Sequence, residues 1–434
     1  MKRIYISDLT TNQECKISGI VENIRDKRTM MFLVIKDISG KIQVTIDKVK
    51  NPEIADELTK LTLDSFLTVE GICVENKYVK LNGREILPNK VQIESIASPL
   101  PIQREENSGE RSSIDQRIDY RWIDLRTDKN QLIFKIQTYM TNTMRQFLLD
   151  RNFLEIHTPK LIATASESGS DVFEVKYFNK NAYLAQSPQF YKQMAMASGF
   201  EKVFEIGPVF RAEKSFTNKH TTEFTGFDLE FSYINSYHDI MALEEELLTY
   251  TLGKIKDVYD KQLKELFGIE LVIPTLPFPV IKLSELYEEL EKRYGYTVSN
   301  IEKGDLTTEA EKLCKTFSME RYGHEFLFIT DFSANNRAFY HMRKDGIPQG
   351  FDLIWNGVEI TTGAQREHRY EILVNQAKEN NLEEDVKFYL EFFKYGCPPH
   401  GGFGLGIDRL TMLLFGLPIK ECMFLFRGPN RLHP

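Results

Sequence analysis

The feature that most constrains this chain is the punctuation of its first hundred residues. Five short runs rich in β-branched residues follow one another: KISGIVENI (16–24), MMFLVIKDI (30–38), KIQVTI (41–46), SFLTVEGICV (65–74) and KVQIESI (90–96). They alternate in part between apolar and polar positions, and turn residues such as Ile38-Ser39-Gly40 and Asn82-Gly83 separate them, which is the pattern of strands. Between the third and fourth runs lies NPEIADELTKL, a helix-like segment with Asn51 placed as a cap ahead of Pro52. Five strands with one helix after the third can close into a small barrel.

That order is the order of the OB-fold, whose usual cargo is single-stranded nucleic acid. The charge distribution agrees with such a role. The whole chain carries a net charge of −8, which does not advertise a nucleic-acid binder. Residues 1–100, however, hold 15 basic and 14 acidic side chains, while the remainder holds 40 basic and 49 acidic ones. Repulsion of a phosphate backbone is therefore weakest at the N-terminal end.

At 434 residues the chain has room for two or three domains and a large core. No run reaches the ~18 apolar residues of a membrane span, and the start MKRIYISDLT lacks the apolar stretch of a secretory signal. The five cysteines (15, 73, 314, 397 and 422) are odd in number and form no CxxC pair. This argues against a disulfide framework or a zinc site and for a reducing cytoplasm. Residues 1–100 are expected to form the barrel, 101–128 a polar hinge containing REENSGERSS, and 129–434 a second domain. Within that domain Ile133, Ile136, Met140, Met144, Phe147 and Leu148 mark one face of a helix over 129–150. Strand-like and helical segments then alternate, predicting an α+β domain around a mostly antiparallel sheet. The charged, helical stretch 251–325 offers no legible chemistry.

Four clusters carry residues suited to chemistry. In 205–230, two strand-like runs flank a polar loop, and Arg211 and Glu213 share one face, as do Phe224, Gly226 and Asp228. An arginine can grip phosphate bidentately and an aromatic ring can stack on a purine; a half-exposed sheet with surface ion pairs would have the same sequence. In 351–370, Asp352, Glu359 and Thr362 offer oxygens for Mg²⁺, and small residues stand beside Arg366. In 400–416, glycines at 401, 402, 404 and 406 precede a helix starting near Ile407. Arg409 in its first turn opposes the helix dipole unless an anion is bound nearby. In 166–193, Glu167 lies in a Gly/Ser-rich loop, and Gln189 and Lys192 are spaced to face one pocket.

Together these clusters resemble the class II aminoacyl-tRNA synthetases. FLEIHTP (153–159) resembles motif 1, FRAE with TEFTGFDLE resembles motif 2, and GFGLGIDR resembles motif 3. The preceding barrel resembles that of the subclass for Asp, Asn and Lys, and QSPQFYKQ with GAQREHR resembles the aspartyl enzymes of the short archaeal type, also found in bacteria. The resemblance spans nearly the whole chain. It implies an ATP- and Mg²⁺-dependent aspartate–tRNA ligase, cytoplasmic and homodimeric through the motif 1 helix. It also implies that Arg211 holds the ATP α-phosphate and the aspartate carboxylate, that Glu213 and Phe224 hold adenine, and that Lys219, His220 and Thr221 approach the distal phosphates. Arg409, beside Gly406, clamps ATP from the other side, and Glu359 with Asp352 and Thr362 binds Mg²⁺. Lys192 and Arg366 neutralise the aspartate side chain, with Thr362 in the same pocket, while Glu167, Gln189 and Asp228 receive its ammonium. Phe32, Gln43 and Glu85 contact anticodon bases.

The chain departs from the family pattern at Lys219 (usually Arg), Thr362 (often Ser) and Ala334 and Ala338 (usually Pro). Glu22 stands where members strict for one tRNA tend to carry an aromatic, which points to charging of tRNA(Asn) as well as tRNA(Asp). Asparaginyl-tRNA synthetases share the motifs, and a non-catalytic RNA-binding paralogue or a small-molecule ligase on the same domain is a further alternative. Lys192, which seeks an anion, argues against the first. The joint presence of Arg211, Glu213, Glu359 and Arg409 argues against the second, and the barrel against the third.

Overall fold

The computed structural model describes residues 1–104, 111–163, 172–214 and 219–434. Two compact units result, Met1–Gln103 and Arg104–Pro434. Among the described residues no helix is long and apolar enough to cross a membrane.

The first unit is a closed five-stranded barrel of β1 (Gln13–Asp26), β2 (Met30–Lys36), β3 (Lys41–Asp47), β4 (Phe66–Glu75) and β5 (Arg84–Ser95), in the order β1-β2-β3-β5-β4. Helix α1 (Pro52–Glu57) follows β3. The strands alternate as the sequence suggested: Ile17, Val21, Leu33, Val44, Val69 and Ile86 are fully buried, each such side chain contributing about 1.5–3 kcal/mol of burial. Asn51 sits at the N-cap of α1, but its side chain makes no cap bond and donates instead to Asp47 O. Pro52, which has no N–H to satisfy, starts the helix without it.

The second unit begins with α2 (Ile114–Asp119), α3 (Arg121–Asp124) and α4 (Asp128–Leu149). Residues 111–128 are therefore folded, in contrast to the hinge expected over 101–128. Their polarity reads as linker because the arginines are buried by pairing rather than by apolar contact. Arg117 reaches Glu421 at 3.1 Å, and Arg121 binds Asp124 at 2.7 Å and the carbonyls of Glu421 and Met423. Residues 105–110 of that expected hinge lie outside the described residues. Helix α4 buries the six-residue face anticipated from its periodicity, and Thr127 caps it by accepting from Asn130 N–H at 3.2 Å.

Next come β6 (Leu154–Glu155), a small three-stranded sheet of β7 (Leu161–Ile162), β8 (Glu174–Tyr177) and β9 (Lys180–Leu184), then α5 (Gln189–Ala197), β10 (Lys202–Phe210) and β11 (Glu223–Ser232). The long helix α6 (Tyr237–Phe267) leads to β12 (Val280–Lys282), α7 (Leu283–Tyr294), α8 (Thr308–Tyr322) and β13 (Phe326–Thr330). The hairpin β14 (Arg343–Lys344) and β15 (Ile347–Pro348) precedes β16 (Gly350–Trp355) and β17 (Val358–Gln365). Helices α9 (Tyr370–Glu379) and α10 (Lys387–Lys394), strand β18 (His400–Gly406), and helices α11 (Ile407–Phe415) and α12 (Ile419–Cys422) complete the unit.

Eight strands make the central sheet, in the order β12-β13-β16-β17-β18-β11-β10-β6. It is antiparallel except for its two outer pairs, β12/β13 and β10/β6. Helices α4, α6 and α11 pack into the main core with it, through residues such as Ile136, Met140, Leu248, Phe227, Phe403 and Leu410. The second unit is thus an α+β domain around a mostly antiparallel sheet, and the first is a five-stranded barrel in the OB-fold order.

Candidate active site

The floor of the site is set by strand register. Asp228 on β11 lies opposite Gly404 on β18, which lies opposite Thr362 on β17, which lies opposite Asp352 on β16. Two residues along, Glu230 faces Gly402, which faces Ala364. The glycines of β18 make room for the carboxylates beside them. A Cβ at Gly404 would sit 2.7 Å from an oxygen of Asp228, and one at Gly402 would sit 2.7 Å from Glu230 Oε2. These glycines thus belong to the sheet and not to a loop, and α11 starts directly after them at Ile407.

Above this floor is a cavity of about 420 Å³. Arg211, Glu213, Lys219, His220, Thr221, Phe224, Gln189, Asp228, Glu359, Thr362, Arg366, Gly406 and Arg409 all line it. Thirteen positions singled out in the sequence therefore meet at one place. Glu167 lies outside the described residues. Lys192 and Asp352 are buried beneath the lining, for reasons given below.

One end of the cavity is open and cationic. Strand β10 stops at Phe210, so Arg211 and Glu213 lie beyond the strand expected to carry them, although Arg211 N–H still pairs with Thr222 O at 2.9 Å. The Arg211 side chain is 47% exposed, 5.4 Å above the Phe224 ring centroid and 3.9 Å from Glu213. A Cβ at Gly406 would lie 3.6 Å from Phe224 and 3.7 Å from the Cβ of Arg409, so that glycine separates the ring from the α11 arginine. Arg409 Nη1 donates to Glu359 O at 2.9 Å. Burial, then the nearby Arg409, pushes the His220 imidazole down from its ordinary value. Lys219 is held at 2.6 Å by both oxygens of Glu311 on α8, which also accepts from Glu359 N–H at 2.8 Å. The stretch 251–325 thus contributes Glu311, which no sequence pattern marked.

The carboxyl of Glu359 is pushed up to about 7 by burial and by neighbouring Asp352, against the opposing pull of Arg409 and Arg337. Thr362 Oγ1 donates to Glu359 at 3.2 Å. Asp352, in contrast, has both oxygens taken by Arg337 at 2.8 and 2.6 Å. Among the described residues no cluster of three or more His, Cys, Asp or Glu side chains could hold a metal unaided. Glu359 and Thr362 suit a Mg²⁺ ion that arrives with phosphate ligands of its own, since Mg²⁺ with nucleotides takes only one or two protein carboxylates. Asp352 is tied to Arg337 instead.

The other end is closed. Lys192 is fully buried, and its three N–H donors go to Asp228 Oδ1 (3.0 Å), Leu229 O (3.3 Å) and Phe403 O (3.4 Å). It shares a helix face with Gln189 as expected, but its ammonium reaches past the lining into the floor. Arg366 is buried against Glu230 at 3.0 Å. Burial alone would raise the Glu230 carboxyl, but Arg366 and Lys192 hold it below the ordinary value. Gln189 is bound into the same network: its Nε2 donates to Gln193 and Glu230, and its Oε1 accepts from Arg366. Glu230 and His341 were missed in the sequence. Glu230 continues the alternation of Gly226 and Asp228 and was findable; His341 lies in a loop with no period.

In the barrel, Phe32, Gln43 and Glu85 share a patch on β2, β3 and β5, whose alternate residues Leu33, Val44 and Ile86 fill the core. Gln43 Nε2 donates to Glu85 at 3.1 Å and Arg25 lies 5.5 Å from the Phe32 ring centroid. Asn76 donates to the second Glu85 oxygen at 2.7 Å.

Comparison with known proteins agrees with this geometry. Residues 113–426 match the family of class II tRNA synthetases (D, K and N), and residues 15–94 match the OB-fold nucleic acid binding domain. The chain is 40% identical to an aspartate–tRNA(Asp/Asn) ligase of Methanopyrus kandleri over 100% of both sequences. It is 40% identical to an aspartate–tRNA(Asp) ligase of Pyrococcus abyssi over 99% of both. Among solved structures, asparaginyl-tRNA synthetase from Pyrococcus horikoshii with bound asparaginyl-adenylate superposes with a TM-score of 0.91 at 30% identity, covering 100% of both chains. Aspartyl-tRNA synthetase from Entamoeba histolytica gives 0.86 at 32% identity, covering 100% of this chain and 93% of that one. With a family match over residues 113–426, full-length relatives and the motif side chains gathered around one cavity, the chain belongs to the class II aminoacyl-tRNA synthetases of the Asp, Lys and Asn group.

Proposed function

We propose that the protein is an aspartate–tRNA ligase, which joins L-aspartate to ATP as aspartyl-adenylate and passes the aspartyl group to the 3′ end of tRNA(Asp), with tRNA(Asn) as a second acceptor. The observation that carries this reading is the convergence of Arg211, Arg409 and Arg366 on one cavity together with Phe224. The names of the full-length relatives support it.

In adenylate formation a carboxylate oxygen attacks the α-phosphorus, the bond to the bridging oxygen breaks, and pyrophosphate leaves. The nucleophile is already an anion, so no general base is required. What the protein must supply is placement and charge neutralisation. Arg211 would hold the α-phosphate and the attacking carboxylate together, with Phe224 and Arg409 enclosing adenine and Glu213 bonding to it. Lys219, with His220 and Thr221, would meet the distal phosphates after leaving Glu311. Mg²⁺ held by Glu359 and Thr362 would neutralise phosphate charge. At the closed end Arg366 would take the aspartate side chain, and Asp228 would receive the ammonium; Lys192 acts through Asp228, since it does not line the cavity. Phe32, Gln43 and Glu85 would read anticodon bases.

A homodimer is part of the same proposal: Leu149, Leu154 and Leu161, on and after α4, are 42–50% exposed. All five cysteines are free, in keeping with a cytoplasmic enzyme. Asparagine as the amino acid is a second reading, favoured by the close superposition on the asparaginyl enzyme. The test is charging of purified tRNA(Asp) and tRNA(Asn) with labelled aspartate and labelled asparagine. Aspartate on both tRNAs is expected; asparagine alone on tRNA(Asn) would select the second reading, and no charging of either would end both.

A further inference from the structure

Arg366 carries five N–H donors, and four of them are already placed. Nε bonds Glu230 at 3.0 Å, Nη2 bonds Gln189 Oε1 at 3.2 Å and Gly402 O at 3.0 Å, and one proton of Nη1 meets His341 Nε2 at 3.3 Å. A guanidinium cannot accept a hydrogen bond, so this last contact has only one polarity. His341 Nε2 must be the bare ring nitrogen, and the proton of the neutral ring must sit on Nδ1. The ring is 4% exposed and lines the cavity. Its backbone is bridged to that of Arg366, and its carbonyl accepts from Gln376 at 3.0 Å. Burial and then the surrounding Arg366, Arg337 and Arg343 keep the imidazole from taking a second proton. Among the described residues Nδ1 has no hydrogen-bond partner, a buried cost that buys no local stability.

The two buried cations do not offer surplus charge either. Lys192 is paired with Asp228 and Arg366 with Glu230. Selection of an acidic side chain must then depend on where the remaining donor points.

We propose that His341 is a positioning residue for amino-acid selection: as a neutral ring bearing its proton on Nδ1, it occupies one Nη1 proton of Arg366 and leaves the other as the single donor for the distal carboxylate of the substrate. This rests on the ligase reading above and names a residue that sets the specificity of that site. Without the acceptor, Nη1 has two unplaced donors, and the carboxylate can settle in more than one pose.

The test is ATP–pyrophosphate exchange by the full-length enzyme, with KM measured for aspartate and for ATP. His341→Leu should raise KM for aspartate at least tenfold and leave KM for ATP within twofold. His341→Gln, whose side-chain oxygen can accept from Arg366, should recover most of the loss. An unchanged KM for aspartate in His341→Leu, or equal rises in both constants, overturns the proposal. If the wild type itself is silent with aspartate, the ligase reading fails, which is a different result. A second measurement does not depend on how the leucine variant folds. In ¹⁵N-histidine spectra of the wild-type protein, the His341 signal, assigned by its loss in His341→Gln, should show the Nδ1–H form and no titration between about pH 5 and 9. An Nε2–H ring or a titrating one overturns the proposal as well.

Discussion

The two ends of the cavity use the same kinds of cation in opposite ways. At the open end the Arg211 side chain is 47% exposed and keeps a carboxylate only at 3.9 Å. At the closed end Lys192 and Arg366 are out of water, each within 3.0 Å of a buried carboxylate. If the open end takes the triphosphate, as proposed, that ligand brings enough charge to draw hydrated arginines onto itself, and it must be admitted and released. A single carboxylate cannot repay the desolvation of two bare cations, so the fold has repaid it in advance with Asp228 and Glu230. The open end therefore supplies charge, and the closed end supplies fixed donor geometry.

The contrast can be broken first at Arg366. Arg366→Leu leaves Glu230 buried without its main partner. It should cost about 3–5 kcal/mol in denaturant unfolding and end aspartate-dependent exchange. A variant as stable as the wild type would mean that the closed end is not held by this pair. Arg211→Ala should do the reverse. Its unfolding free energy should stay within about 0.5 kcal/mol of wild type, while exchange falls by roughly 10²–10³.

A buried carboxylate without a matched cation sharpens the comparison. Glu244 on α6 is as buried as Glu230, yet burial, with like charge from Asp352 and Glu245, pushes its carboxyl up to about 8. It keeps its proton in the folded chain where the unfolded chain releases it. Stability should consequently fall as pH rises from about 4.5 to about 8, by at most ~1.4 kcal/mol per pH unit from this group. Glu244→Gln should flatten that slope and be the more stable protein at the alkaline end, read by urea midpoints across pH. An unaltered slope would show that Glu244 is ionised.

The smallest effect is expected on the barrel surface, where Glu22 pairs with Lys41 at 2.7 Å with both side chains partly exposed. Glu22→Trp should change stability by less than ~1 kcal/mol. It should lower aspartylation of tRNA(Asn) relative to tRNA(Asp). Equal charging of the two tRNAs by this variant would remove Glu22 from the account of tRNA breadth.

What was legible in the sequence follows the same division. Strand alternation in the barrel and the apolar face of α4 depend on local periodicity, and both are seen in the structure. Arg211, Phe224, Glu359 and Arg409, which line one cavity, could be picked out as candidates because they lie in the short motif segments themselves. The closed end was harder. That Lys192 spends all three donors beneath the lining, or that Arg337 claims Asp352, depends on partners brought together by the sheet, and no spacing announces it. The same holds for α2 and α3, whose buried arginines find Glu421 from the far end of the chain. Glu311 sits in a helix that looks like ordinary charged surface.

On the proposed function, this one cavity activates an acidic amino acid and rejects its amide through donors fixed in advance. Pyrophosphate exchange by the purified protein, run side by side with aspartate and asparagine at equal concentration, tests it most directly. Strong exchange is expected with aspartate, and exchange with asparagine lower by several orders of magnitude, as where buried donors would be left unpaired. Comparable exchange with the two amino acids, or exchange with asparagine alone, would contradict it.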